Sequence, residues 1–188
     1  CEELAYPWHK NSKLANELDE LAINNEVGCL GTGINPGFVM DALPAFATAP
    51  CREVQSIEIK RVQDAATRRE LLQEKIGAGL SPTEFEEEIV TDGGHIGLPE
   101  SIAMLGGALG WEIESIDETI EPVITNTPVE SDHVSVSSGD VAGIKQIATA
   151  TVDGNQVIKL NEQMYIGAEN PVDHILITGN PDVDLSIE

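Results

Sequence analysis

The residues best suited to ligand chemistry begin with a glycine-rich turn at positions 31–37, which reads GTGINPG. It follows a short apolar segment, Val27 to Leu30, that predicts a buried strand, and it precedes an apolar run that predicts a helix. We expect Asn35 to cap that helix and Pro36 to occupy its first position. A helix N-terminus leaves backbone N–H groups free to bind a ligand, and glycines let the main chain approach a flat ring closely. The alternative is a tight turn that only joins two elements.

Three charged or titratable residues in the middle of the chain also have useful chemistry. Arg68 and Arg69 are adjacent, and guanidinium groups bind carboxylates in bidentate geometry; the alternative is a pair of ordinary surface ion pairs. His95 follows two glycines in a predicted loop, ahead of a helix that should begin near Pro99. An imidazole there titrates near neutral pH, although ordinary hydrogen bonds to its loop are an equal alternative.

The first fifty residues predict the closing part of a doubly wound sheet. Leucines and alanines at helical spacing predict a helix that begins at Asn11 or Ser12, after Pro7, and ends near Gly28. A helix, a strand and a glycine turn in this order form half of a βαβ unit. No G-x-G-x-x-G motif lies in the right setting, so we expect no dinucleotide pyrophosphate site within this chain. The sequence 49–51, Ala-Pro-Cys, predicts a domain boundary.

Residues 51–188 predict an α+β domain with an open mixed or antiparallel sheet. A capping box at Ser81 begins a helix that should run to Val90 and end at the glycines of 92–94. Asp153-Gly154 between two alternating segments is the strongest hairpin signal. The predicted strands are 52–62, 112–125, 143–152, 156–166, 174–178 and 183–187.

Composition excludes several classes of partner. The chain has 33 acidic and 10 basic residues, a net charge of −23, which repels nucleic acid and anionic membranes and suggests a salt-adapted organism. Cys1, Cys29 and Cys51 show no disulfide or zinc spacing, so we predict no metal and a reducing cytoplasm, with Cys29 buried in its strand. Because the chain begins without methionine and stops within a strand-like pattern, we expect it to be part of a longer protein.

Four motifs in register resemble one enzyme family. The chain is similar to the dihydrodipicolinate reductase-like NAD(P)-dependent amine dehydrogenases, in particular the 2,4-diaminopentanoate dehydrogenase group. The resemblance covers Cys1 to about Gly110 and weakens through the later strands. The motifs are GTGINPGF at 31–38, Arg68-Arg69, IGAGL at 76–80 with Glu84-Phe85, and GHIGLPES at 94–101.

This resemblance implies hydride transfer between NAD or NADP and the amine or imine carbon of a small amino-acid-like substrate such as 2,4-diaminopentanoate. Residues 1–50 would then end a dinucleotide-binding Rossmann domain, and 51–188 would form the domain for substrate binding and homo-oligomer contacts. In catalysis His95 would be the acid–base group, assisted by Lys75. Arg68 and Arg69 would bind the substrate carboxylate and Glu100 the amine. The nicotinamide would lie against Gly33, Asn35, Pro36 and Gly37.

Plainer roles remain for two of these residues, and other functions remain for the chain. Lys75 could be a surface lysine, and Glu100 could only complement the dipole of its helix. The family's reductases carry a His-His pair followed by a lysine, which this sequence lacks, so reduction of dihydrodipicolinate is the less favoured chemistry. The chain could also be a non-catalytic module for oligomerisation and substrate binding, or an acidic interaction protein.

Overall fold

The computed structural model describes residues 4–91 and 97–187. Its helices are α1 (Trp8–Asn24), α2 (Ala42–Ala47), α3 (Glu70–Lys75), α4 (Pro82–Phe85), which continues as a π-helical turn Glu86–Val90, and α5 (Leu98–Leu109). Its strands are β1 (Glu53–Asp64), β2 (Ser115–Ile124), β3 (Val129–Glu130), β4 (Ser135–Val136), β5 (Val141–Val152), β6 (Asn155–Tyr165), β7 (Val172–Asn180) and β8 (Val183–Ile187).

Six of the strands form one mixed sheet in the order β2-β5-β6-β1-β7-β8. Strand β1 pairs with β6 in parallel and with β7 antiparallel, and the other neighbours are antiparallel. Asp153 and Gly154 both have positive φ (49° and 72°), as a two-residue hairpin between right-twisted strands requires. The predicted open mixed sheet of an α+β domain is therefore confirmed.

Alternation along the strands gives the sheet one apolar face, which α2 and α5 cover. Val39, Met40 and the partly buried side chains of α2 pack into the same cluster as α5 and the sheet. The opposite face carries polar pairs such as Lys159 with Glu58. Burial of this aliphatic cluster is the main force that fixes α5 on the sheet. The buried residues on the sheet side of this cluster are Ile57, Ile59, Ala148, Ala150, Ile158, Leu160, Ile175 and Ile177.

A second apolar cluster lies at another part of the sheet, beneath α3 and α4. Ile76 and Phe85 come from the helical side, and Ile144 and Ile166 come from the strand side. The predicted capping box is present, since Ser81 and Glu84 bond to each other's backbone N–H, and these bonds from Ser81 lower the pKa of Glu84. The predicted end of this helix at 92–94 lies outside the described residues.

Between the two clusters a row of polar side chains crosses four strands. Gln146 lies opposite Glu162, Glu162 opposite Arg61, and Arg61 opposite Asp173. The Nη1 of Arg61 donates to Oδ2 of Asp173 at 2.7 Å, and its Nε lies 4.0 Å from Oε1 of Glu162. Arg61 is only 7% exposed. Burial raises the pKa of Asp173 above its ordinary value, although the nearby Arg61 charge acts in the opposite direction.

Three predictions for the first fifty residues are wrong. Val27 and Leu30 are 62% and 84% exposed and form no strand, and Cys29 is exposed, because no strand in the described part of the chain lies beside them. The helix after the glycine turn begins at Ala42, with Asp41 as its cap. Helix α1 begins earlier than predicted, at Trp8; Asn11 instead has non-helical backbone angles and marks a kink.

Two features are absent from the described residues, 4–91 and 97–187. None of the helices there is both long enough and apolar enough to span a bilayer. No group of three or more His, Cys, Asp or Glu side chains in these residues is arranged to hold a metal ion.

We predict that Arg61→Met destabilises the protein by about 3 kcal/mol or more, because the buried Glu162 and the partly buried Asp173 lose their cation. The matched control is Lys159→Met, which breaks the more exposed pair with Glu58 on the other face of the sheet. That control should cost less than about 1 kcal/mol. Urea denaturation at pH 7 measures both values. Equal losses in the two variants would show that Arg61 does not stabilise the buried row.

Candidate functional site

The glycine turn is held by one buried carboxylate, Asp41. Its Oδ2 accepts hydrogen bonds from the backbone N–H of Gly37 at 2.8 Å and from the hydroxyl of Ser101 at 2.7 Å. Its Oδ1 accepts from the backbone N–H of Ala42 at 2.6 Å. Asp41 therefore connects the turn, the start of α2 and the first part of α5. No local sequence pattern points to Asp41, because its partner Ser101 lies sixty positions away along the chain.

Two of the turn's glycines are required by close packing of the chain itself. At Gly37, where φ is +127°, an added Cβ would lie 2.6 Å from the backbone nitrogen of Gly33. At Gly31 it would lie 2.2 Å from the main chain of Leu4. These contacts account for both glycines without a ligand, as the tight-turn alternative requires.

Asn35 has the one unusual environment in the turn. It is 5% exposed, and neither its side-chain nitrogen nor its oxygen has a hydrogen-bond partner. The peptide bond to Pro36, which is also buried, is cis. Buried side-chain amides are nearly always paired, because leaving one unpaired costs about 1–3 kcal/mol. An unpaired amide here is a group that a ligand or another segment could satisfy after a small movement.

The loop that carries the predicted arginines is fixed by Gln73 of α3. The Nε2 of Gln73, which is fully buried, donates to the carbonyl oxygens of Ala65 at 3.0 Å and Arg68 at 2.7 Å. Arg68 and Arg69 are both exposed, and the Nη2 of Arg68 donates to Oε1 of Gln63 at 3.1 Å. The two guanidinium groups are therefore accessible from solvent and lie on a fixed loop.

The other predicted site residues lie apart from that loop or outside the described chain. Lys75, at the end of α3, lines a small cavity of about 50 Å³ together with Gln146 and Glu162 of the polar row. Glu100 is 2% exposed in the first turn of α5, next to Ser101. His95 lies outside the described residues.

A pocket of about 790 Å³ is lined by none of the predicted site residues that lie within 4–91 and 97–187. It lies between the first residues of α1 with the preceding Tyr6, one face of α5 and the start of β2, and we call it the aromatic pocket. Only 4% of the residues are aromatic, and three of these aromatic rings line this one pocket. Because aromatic residues are so few, their positions in the sequence are the signal that could have pointed to the pocket. Its lining includes Tyr6, Trp8, Lys10, Pro99, Ala103, Gly107, Trp111, Glu114 and Glu118.

Two carboxylates on one side of the aromatic pocket are held by neutral donors. The Oε2 of Glu114 accepts a hydrogen bond from the backbone N–H of Gly154 at 3.0 Å. The Oε1 of Glu118 accepts from Nε2 of Gln146 at 2.5 Å. Because Gln146 belongs to the buried polar row, the wall of the pocket is connected to the interior of the sheet.

We predict that Asp41→Asn destabilises the protein by about 2 kcal/mol or more, because one acceptor becomes an NH₂ group that faces other donors. The control is Asp182→Asn, which alters an exposed carboxylate that accepts from the backbone N–H of Gly179. We expect that control to lose less than about 1 kcal/mol. Thermal and urea unfolding measure both variants. If Asp41→Asn unfolds like the control, Asp41 does not hold the turn.

Comparison with known proteins gives the family. The family model described as the 2,4-diaminopentanoate dehydrogenase C-terminal domain matches residues 38–188. The 2,4-diaminopentanoate dehydrogenase of Acetoanaerobium sticklandii is 35% identical over 192 residues, which cover 98% of this chain and 54% of that protein. An amine dehydrogenase from Mycobacterium smegmatis has the same fold, with a TM-score of 0.82 and 21% identity, over 99% of this chain and 56% of that one. The chain thus spans about half the length of these proteins. It belongs to the family of 2,4-diaminopentanoate dehydrogenase C-terminal domains.

Proposed function

We propose that this chain is part of an NAD(P)-dependent dehydrogenase that oxidises the amine carbon of a small amino-acid-like substrate, such as 2,4-diaminopentanoate. The observation that carries this proposal is the family match over residues 38–188. In the overall reaction one water is consumed, the amine carbon becomes a carbonyl, and ammonium and a proton are released. We also propose that the protein is a cytoplasmic homo-oligomer.

The first part of the chain would belong to a dinucleotide-binding domain. Apart from Trp8, which lines the aromatic pocket, eight of the twelve large apolar side chains that are exposed among the described residues lie between positions 14 and 46. Such a concentration of exposed apolar surface supports a covering domain there. The predicted boundary after residue 50 stays a prediction. The packing of Val39, Met40 and α2 with the sheet supports a division nearer residue 38.

The glycine turn is where we propose that the nicotinamide lies, against Gly33, Asn35, Pro36 and Gly37. The unpaired buried amide of Asn35 supports this, since a carboxamide offers both a donor and an acceptor that could pair with it. When bound, the nicotinamide supplies the hydride chemistry. The role of the chain is to fix this turn through Asp41 and to exclude water from it.

The remaining roles follow from the chemistry of each side chain. His95 would take a proton from the substrate ammonium, with Lys75 assisting, before the imine is hydrolysed. Arg68 and Arg69 would bind the substrate carboxylate, and their exposure on a fixed loop supports this. Glu100 would hold the amine; it lies one residue before Ser101, which bonds to Asp41 of the turn.

We predict that His95→Ala in the natural full-length protein lowers kcat by about 100-fold or more, because the acid–base group is lost. The pH–rate profile should also lose the limb that reports this base. The control is His133→Ala, since His133 is exposed between β3 and β4. A near-normal kcat for His95→Ala, with an unchanged pH profile, would remove His95 from the mechanism.

We predict that Arg68→Ala and Arg69→Ala each raise KM about tenfold or more while kcat changes less, because they bind a substrate group that does not react. The effect should vanish for an amine that lacks the carboxylate. The control is Arg52→Ala, since Arg52 is an exposed arginine just before β1. If the amine without a carboxylate is affected equally, the arginines do not bind that group.

A further inference from the structure

We propose that the aromatic pocket binds the alkylammonium group of an organic amine, with Glu118 as its counter-ion. This inference stands on the pocket itself and does not require that the bound amine be the substrate of the proposed dehydrogenase. Glu118 lies on strand β2, and strands β5 and β6 lie between β2 and β1. With about 4.8 Å between neighbouring strands, Glu118 is about 14 Å from β1 across the sheet.

The combination of groups in the pocket matches a cation with an apolar body. Trp8 and Trp111 line the pocket. Indole rings attract ammonium groups, and their carbon surfaces suit an alkyl chain. Glu114 and Glu118 supply negative charge at the same site. A volume of about 790 Å³ admits a small organic molecule together with water.

The net negative charge of the chain disfavours anionic ligands. The chain carries a net charge of −23, so anions are repelled from its surface and cations are concentrated there. Lys10 also lines the pocket, but it already has an interaction partner. A ligand would therefore meet the two carboxylates together with Lys10 and His9, and the carboxylates outnumber the single lysine.

Glu118 is held in place before any ligand binds. Its partner Gln146 is 1% exposed and lies opposite Glu162 in the paired strands β5 and β6. A buried amide of this kind has little freedom to rotate, so the carboxylate that accepts its N–H keeps a fixed position. A counter-ion in a fixed position costs little ordering entropy when a cation arrives.

The aromatic wall is also fixed by packing. Tyr6 and Trp8 meet edge to face with ring centroids 6.0 Å apart. An added Cβ at Gly107 would lie 2.8 Å from the hydroxyl oxygen of Tyr6, so the glycine leaves room for that ring against α5. The Tyr6–Trp8 pair is therefore positioned by α5, which itself packs on the sheet.

The experiment uses the natural full-length protein, with n-butylammonium chloride as the probe and butan-1-ol as its neutral analogue. Isothermal titration calorimetry and tryptophan fluorescence should show butylammonium binding at a site that includes Trp8 or Trp111, and at least tenfold weaker binding of the alcohol. Glu118→Gln should weaken butylammonium binding about tenfold. Replacing Trp8 or Trp111 by Phe should identify the source of the fluorescence change.

The matched control is Glu121→Gln, the same substitution on the same strand but facing the other side of the sheet, where Glu121 pairs with Lys145. Glu121→Gln should leave the affinity for butylammonium within about twofold of that of the unmodified protein. This result would separate a specific site from general attraction of a cation to an acidic chain. A thermal scan of each variant verifies folding. The proposal is wrong if no binding occurs, if the alcohol binds equally well, or if both glutamate variants lose affinity equally.

Turnover of amines is measured separately in the same variants, so the two proposals can fail independently. Loss of butylammonium binding in Glu118→Gln with normal turnover supports the pocket and leaves the catalytic proposal intact. Intact binding in a protein that turns over no amine would overturn the proposed dehydrogenase and leave the pocket standing. Gln146→Leu provides a second variant, and it should weaken binding without removing a charge.

Discussion

The excess of carboxylates over basic groups constrains most of this structure. With 33 acidic and 10 basic residues, the chain cannot give every ordered carboxylate a cation. Neutral donors take that role instead: the amide of Gln146 binds Glu118, and backbone N–H groups bind Asp41 and Asp64. Hydrogen bonds of this kind to an ionised group are stronger than those between neutral groups. These acids therefore fix turns and strands to one another.

Arg61 differs from the lysines in surface ion pairs, because it lies between the buried Glu162 and the partly buried Asp173. It lies where the helix-covered face of the sheet passes from one apolar cluster to the other. The polar row around Arg61 adds little to the free energy of folding, since the attraction within a buried ion pair rarely exceeds the cost of its desolvation. Its effect is to fix register, because a shift by one residue would move Arg61 away from both acids to the other face.

The sequence predicted the sheet well because each of its signals is local. Alternation marked the long strands, Asp153-Gly154 marked their hairpin, and Ser81 with Glu84 marked a helix start. Val27 to Leu30 failed because an apolar run becomes a strand only beside another strand. Asp41 and the aromatic pocket were missed for a related reason: their partners lie far away in sequence, and no spacing rule connects them.

The glycine turn shows how a motif can be found correctly while its residues are explained differently. Gly31 and Gly37 are required because main chain packs against main chain there, so their presence carries no information about a ligand. Asn35 does carry such information, because burial of its amide costs free energy that no hydrogen bond in the described structure offsets. A ligand with both a donor and an acceptor has the groups that could pair with it. Evidence for a ligand at this turn therefore rests on Asn35, and the glycines and Asp41 supply the rigid frame around it.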